Sequence, residues 1–232
     1  MRVLGGRNAR FALFGLNPQK PMKNQIVILF CISILTVTVA NGQMKSYNLQ
    51  QLLKENKLMT YDRKVIPITD GGKGGISLSG VVYLKDVTFS KGTIEVDLRG
   101  KDVLQQSFIG IAFHGVDTVT YDAVYFRPFN FRSTDPVRKI HAVQYVSEPE
   151  FPWHRLREEK NGIYEKGIDP PPAATEWFHA KIVVDENQIR VFVNNAENPA
   201  LVVNKLNSRT EGRIGLWNVG LPGDFANLTL SK

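Results

Sequence analysis

From Val87 onward the chain is a succession of short runs of alternating apolar residues, separated by Gly, Asn, Asp or Pro, with no long amphipathic helix between them. The runs fall at 93–99, 107–114, 122–131, 140–146, 178–185, 188–194, 201–203, 213–218 and 225–230, after earlier ones at 64–69 and 76–84. In a strand, successive side chains point to opposite faces, so each run has one face for a core and one for something else. Many such strands at steady spacing can bury their apolar faces only by packing sheet on sheet. The expected fold is therefore all-β, a sandwich of two antiparallel sheets. Phe178, Ala180, Ile182 and Val184 should point inward, joined across the tight hairpin Asp185-Glu186-Asn187 by Ile189, Val191 and Val193.

The start of the chain is a different material. An apolar run at 26–39 follows Lys23 and precedes Ala40-Asn41-Gly42, the order of a secretory signal peptide. At about 14 residues it is short of the ~20 needed to span a bilayer, and cleavage is expected before Gln43. Met22-Lys23-Asn24-Gln25 opens a normal leader by itself, so 1–21 reads as a misplaced start. The single cysteine, Cys31, lies behind Phe30 and inside the apolar run, which does not suit lipid attachment. Residues 1–42 are thus expected to be a leader and 43–232 one domain.

Removing the leader changes the charge. It holds Arg2, Arg7, Arg10, Lys20 and Lys23 and no acid; 29 basic residues less these five leaves 24 against 22 acidic, a net of +2 in place of +7. The basic balance is then no argument for a nucleic-acid partner. With no cysteine left, an exported domain must rely on its core alone.

Within the domain, Asn48 should cap a short helical segment with Leu49, Leu52 and Leu53 on one side. Asp70-Gly71-Gly72-Lys73-Gly74-Gly75 reads as a turn rather than a phosphate loop, because no Ser or Thr follows the lysine and a strand comes next. Glu95 and Asp97 share a strand face, but with no third acid they are expected on a solvated surface over Ile94, Val96 and Leu98.

The runs 122–131 and 140–146 flank an Arg- and Pro-containing loop. Alternation places Tyr125, Arg127 and Phe129 on one face of the first and Gln144 on a face of the second, so Tyr125, Arg127 and Gln144 can meet. A buried arginine needs such partners. On the run before them, Phe108, Gly110, Ala112 and His114 share a face whose small residues mark a close approach, by a ligand ring or by neighbouring Phe and Tyr rings. The stretch 150–157, Glu-Phe-Pro-Trp-His-Arg-Leu-Arg, reads as a loop that adds aromatic and planar polar groups, followed by Gly162-Ile163-Tyr164-Glu165. Flat aromatic faces with planar polar groups are what a sugar requires. His114, His141, His154 and His179 are scattered without metal-ligand spacing, no G-x-S-x-G elbow occurs, and no thiol nucleophile remains.

The phrasing of the strands resembles concanavalin A-like jelly rolls: Gly92-Thr93-Ile94-Glu95-Val96-Asp97, Trp177-Phe178-His179-Ala180-Lys181-Ile182, Gly212-Arg213-Ile214-Gly215-Leu216-Trp217 and Asp224-Phe225-Ala226-Asn227-Leu228. Laminin G-like modules and the 3-keto-disaccharide hydrolase domain family share it. In the latter, Phe126-Arg127, Val143-Gln144, Gly162-Ile163-Tyr164 and Trp177 match recurrent positions, whereas Ala142 and Ser147 stand where that family often has acids. The resemblance implies two curved sheets with a ligand on the concave face or its rim loops. It also makes calcium possible, although the acids here do not form a dense calcium-binding loop.

The sequence expectation is accordingly an exported, monomeric carbohydrate-binding jelly roll. Tyr125, Arg127, Gln144, Trp153, Arg157 and Tyr164 are the candidate ligand-binding residues; the partner is an oligosaccharide or polysaccharide, with no nucleic acid and no stable membrane span after cleavage. The alternative is a glycoside hydrolase or lyase, for which Glu165, His154 and His141 are the weak catalytic candidates. A protein-interaction module is the third reading, favoured by a flat apolar rim without convergent polar groups.

Overall fold

The computed structural model describes Gly15 and residues 43–231, so the leader expected at 1–42 lies outside the described residues save for that one glycine. From Gln43 the order begins with β1 (Lys45–Tyr47), α1 (Leu49–Lys54), β2 (Leu58–Met59) and β3 (Val65–Asp70). Three longer strands follow, β4 (Lys73–Phe89), β5 (Gly92–Arg99) and β6 (Ser107–Gly115), and then β7 (Tyr121–Phe126). A 3-10 turn (Pro128–Asn130) and α2 (Pro136–Lys139) lead to β8 (Val143–Glu148). The chain ends through α3 (Trp153–Glu159), β9 (Glu165–Lys166), β10 (Phe178–Val184), β11 (Gln188–Val193), β12 (Leu201–Asn204) and β13 (Gly212–Ser231).

All strand pairings are antiparallel. Two strands expected near the end are one long bent strand: the first part of β13 pairs with β6, the last with β5, and β4 accompanies it through both. The register shift between Asn218 and Gly223 is the bend. Gly220 sits there at φ +88°, where a Cβ would lie 2.2 Å from the Gln106 carbonyl oxygen. The two sheets of the sandwich are thus continuous through β4 and β13. One wing runs β9-β8-β7-β6 and the other β12-β11-β10-β5.

Between the wings the alternation predicted from sequence holds. Phe178, Ala180, Ile182 and Val184 are buried, as are Ile94, Val96 and Leu98 of the neighbouring strand and Ile189, Val191 and Val193 beyond. Phe126 from the facing wing meets Phe178 edge-on at 5.0 Å. Each such side chain removed from water contributes about 1.5–3 kcal/mol, so the core needs no cross-link. Asn48 caps α1, its Oδ1 accepting from the Gln51 amide at 3.0 Å.

Three elements differ from expectation. The run 122–131 stops as a strand at Phe126, because Pro128 has no amide hydrogen for a ladder and opens the 3-10 turn instead. The second run starts later, at Val143, after α2. The loop expected after Pro152 contains α3, with Leu156 its one buried residue and Arg155 paired to Glu159 one turn on.

Candidate functional site

On one wing, the face turned away from the core carries a cleft of about 660 Å³, within the range usual for small-ligand sites. The register explains its floor. Gly110 lies opposite Tyr125 on one side and Trp217 on the other, and the two rings close over it with centroids 4.8 Å apart. A Cβ on Gly110 would fall 2.1 Å from the Val124 carbonyl oxygen. The gap that the small residues predicted is therefore filled by protein rings, a Tyr and a Trp, and the ligand-sized space lies above them. Trp217 Nε1 donates to Tyr121 Oη at 3.1 Å, fixing the indole plane. Phe108 extends the floor, edge-on to both Tyr125 and Phe129.

Arg127, just past the end of β7, is 5 % exposed and fully engaged on its inner side. Its Nη2 donates to Tyr125 Oη at 2.7 Å and to Gln144 Oε1; its Nη1 donates to the His141 carbonyl at 3.1 Å and faces Glu165 Oε2 at 3.4 Å. Tyr125 Oη in turn donates to Gln144 Oε1 at 2.8 Å. The expected Tyr125, Arg127 and Gln144 cluster is thus real, and Tyr125 and Arg127 line the cleft while Gln144 lies beneath it. Gln144 Nε2 is buried with no partner among the described residues. Burial pushes the Tyr125 phenol well above its ordinary value, and burial lowers the proton affinity of Arg127.

Helix α3 supplies a wall. Trp153 and Arg157 are four residues apart, so they stack on one helical face, the guanidinium 5.1 Å from the indole ring. Arg157 reaches Glu165 with Nε at 2.9 Å and Nη2 at 2.8 Å. Burial alone would raise the Glu165 carboxyl, but the Arg157 hydrogen bonds and the Arg127 charge outweigh it and hold the group below the usual carboxylate range. His141 lines the cleft with Nδ1 2.8 Å from Glu165 Oε2 but off the line of a hydrogen bond, and burial keeps its ring below the ordinary histidine value.

Tyr164 departs from its expected place. Gln144 pairs with Glu165, so Tyr164 falls on the opposite face of the strand pair, where its ring packs 6.1 Å from Tyr145 in the core. His154 is exposed on α3 and is not among the residues lining the cleft. Glu165 is 2 % exposed and lies beneath the lining rather than in it.

Sequence reasoning missed Trp217, Tyr121 and Arg138, and it took Glu148 for a loop acid free to turn toward the pocket, whereas it ends β8. Alternation along β8 carries the last: Gln144, Val146 and Glu148 share the cleft face, while Ser147 faces the core side and bonds Asn207 and Arg209. Burial raises the Glu148 carboxyl above its ordinary value against a smaller lowering by His154. Among the described residues, no group of three or more His, Cys, Asp or Glu is placed to hold a metal ion.

The opposite wing bears a second polar cluster on its outer face. Asp97 is 9 % exposed there, not solvated as expected: Lys73 Nζ lies at 2.6 Å and Asn227 Nδ2 at 2.7 Å from Oδ2, and His179 Nδ1 at 2.9 Å from Oδ1. Trp177 lies between Lys73 and Arg99, 5.1 and 4.8 Å from its ring.

No family model and no curated protein matches the chain. Among solved structures, the carbohydrate-binding module CBM66 from Bacillus subtilis superposes with a TM-score of 0.54 at 15% identity, over 75% of this chain and 96% of that one. The fold is a concanavalin A-like jelly roll. A provisionally assigned glycosyl hydrolase from Parabacteroides distasonis (TM-score 0.49, 15% identity, 82% of this chain and 100% of that one) is also similar. So is the VIP36 exoplasmic/lumenal domain in its Ca2+/Man3GlcNAc-bound form (0.46, 10%, 73% and 82%).

Proposed function

We propose that this protein binds carbohydrate in the cleft over Trp217 and Tyr125, as an exported, monomeric domain that does not cleave its ligand. The observation that carries the reading is the combination of flat aromatic faces with planar donors in one concavity: Trp153, Trp217, Tyr121 and Tyr125 beside Arg138, Arg157 and His141. Aromatic faces take the C–H side of a sugar ring, and guanidinium groups pair with vicinal hydroxyls. Convergent polar groups speak for a sugar rather than for a flat protein-docking rim. The similarity to a carbohydrate-binding module is consistent with this.

Binding without turnover follows from the carboxyl groups. Glycoside hydrolysis needs an acid and a base or nucleophile across the scissile bond, roughly 5–9.5 Å apart. Glu148 has the raised proton affinity of an acid and lines the cleft, whereas Glu165 is enclosed by Arg157, Arg127 and His141. The test is a panel of glucans, galactans, fructans and 3-keto-glucosides: binding to at least one by calorimetry, with no reducing sugar released. Release that disappears in Glu148→Gln would make the protein a hydrolase. Export is tested by N-terminal sequencing of secreted material, expected to begin within a residue or two of Gln43; a chain starting at Met22 would contradict it.

A further inference from the structure

The charges of the cleft are unevenly distributed along β7 and β8. Toward the end where β7 stops, Arg127, Arg138 and Arg157 line the cleft with His141, linked through shared partners: Arg127 and Arg157 through Glu165, and Arg127 and Arg138 through the His141 carbonyl and Asn130. A single carboxylate, Glu165, serves that end, and it is shared by Arg157 and Arg127. Glu148 lies at the other end of β8, four residues of strand beyond Gln144, about 13 Å at the rise of an extended chain.

Arg138 is the uncompensated charge. Asp135 caps α2 with its side chain on the Val137 and Arg138 amides, which fixes the start of the short helix that carries Arg138. The Arg138 guanidinium is then held by neutral acceptors only, Nη2 on the Phe129 carbonyl at 2.9 Å and Nε on Asn130 Oδ1 at 3.3 Å. Asn130 is itself anchored, donating to the His141 carbonyl at 3.0 Å. Among the described residues no carboxylate lies within ion-pair distance of Arg138. Arg157 uses Nε and Nη2 on Glu165 and is left with Nη1. Two fixed cations therefore face the cleft with donors to spare, and the cost of orienting them is already met by protein contacts.

We infer that the ligand is an anionic sugar, one that carries a carboxylate or a sulfate, and that this group docks on Arg138 and Arg157 while the ring lies over the aromatic floor. The inference rests on the carbohydrate reading above and adds the ligand's charge to it. A neutral sugar would leave the excess cation of this end unpaired on closing over it, whereas an anion neutralises it with charge-assisted hydrogen bonds, the stronger kind. The planar fork of arginine matches a carboxylate two oxygens at a time, so a uronate fits the two guanidinium groups best.

The experiment is calorimetric titration of the purified protein with oligogalacturonate, oligoglucuronate and alginate oligosaccharides, each beside its carboxyl-reduced neutral counterpart, and with sulfated galactan oligosaccharides. At least one acidic ligand should bind roughly tenfold or more tightly than its neutral counterpart, and the preference should shrink as salt rises. Arg138→Gln should bring that ligand down to its neutral counterpart's affinity, and Arg138→Lys should keep part of the preference, which separates a lost charge from a lost fold. Preference for the uronates identifies a carboxylate; preference for the sulfated galactans identifies a sulfate at the same arginines. Equal binding of an acidic ligand and its reduced form overturns the anionic inference and leaves the carbohydrate reading standing. Failure of every sugar, acidic and neutral, overturns both.

Discussion

The two outer faces of the sandwich use the same materials to different ends. Around Asp97, a carboxylate gathers Lys73, His179 and Asn227, with Trp177 between two cations; around Glu165, a carboxylate gathers Arg157, Arg127 and His141, with Trp153 and Tyr125 alongside. On the Asp97 face the groups satisfy one another, and Trp177 even donates its Nε1 to Asp70. On the Glu165 face the carboxylate is outnumbered, the rings line a concavity, and Arg138 has only neutral partners. Residue types alone therefore do not make a site. Concavity and leftover hydrogen-bonding capacity do.

The largest expected difference between the faces is in stability. Glu165→Gln leaves Arg127 buried with its charge uncompensated, which costs about 3–5 kcal/mol. Asp97→Asn, whose lysine and histidine partners are partly open to water, should cost about 1–3 kcal/mol. Urea denaturation measures both, and equal losses would mean that the Glu165 cluster is not the more buried in effect.

Binding should separate the faces in the other direction. Trp153 is 48 % exposed, so Trp153→Ala should leave the melting temperature nearly unchanged while weakening sugar binding roughly tenfold, the loss of one stacking face. Trp177→Ala should do the opposite, lowering stability without touching affinity. Titration calorimetry beside thermal melts checks the pair, and an affinity loss in Trp177→Ala would move the site to the other wing.

The Asp97 face should also carry a pH signature. Burial opposes ionisation of Asp97, but the hydrogen bonds from His179, Lys73 and Asn227 prevail and hold its carboxyl down to about 2. A carboxyl depressed from 3.8 adds stability that is complete above about pH 4 and lost as pH falls toward 2. The hydrogen bond to Asp97 raises His179 above 6.5, so its contribution is complete below that pH and lost as pH rises through the raised value. The penalty of Asp97→Asn should thus be greatest between about pH 4 and 6.5 and shrink on either side. A penalty that does not vary from pH 3 to pH 9 would remove the histidine from the network. Smallest of all, Glu95→Gln, at 3.5 Å from His179 and partly exposed, should change stability by less than ~0.5 kcal/mol.

Much of the sandwich was legible because strands buried on one face announce themselves: Phe178, Ala180, Ile182 and Val184 alternate with polar residues over a full strand. The Tyr125, Arg127 and Gln144 cluster was legible for the same reason. Helix α3 was not, since seven residues with one buried leucine leave no period to detect. Tyr164 read as a loop residue free to meet a ligand, because a two-residue strand gives no alternation by itself, and only its pairing with β8 sets the face it takes. Trp217 lies in a run that reads as a strand, 213–218, but no face was assigned along it; the structure buries Ile214 and Leu216 and turns Trp217 to the cleft. What the sequence could not say is that β13 crosses from one wing to the other at Gly220, which decides which face Trp217 floors.

The chain's three tryptophans offer a direct test of where a ligand sits, because Trp153 and Trp217 line the cleft and Trp177 lies on the opposite face. Two-dimensional 1H–15N spectra resolve one indole signal for each, assigned by single Trp→Phe variants. On titration with a sugar found to bind, the signals of Trp153 and Trp217 should move together and saturate with the calorimetric affinity, while Trp177 stays in place. Movement of Trp177 with the other two unchanged would contradict the cleft as the binding site.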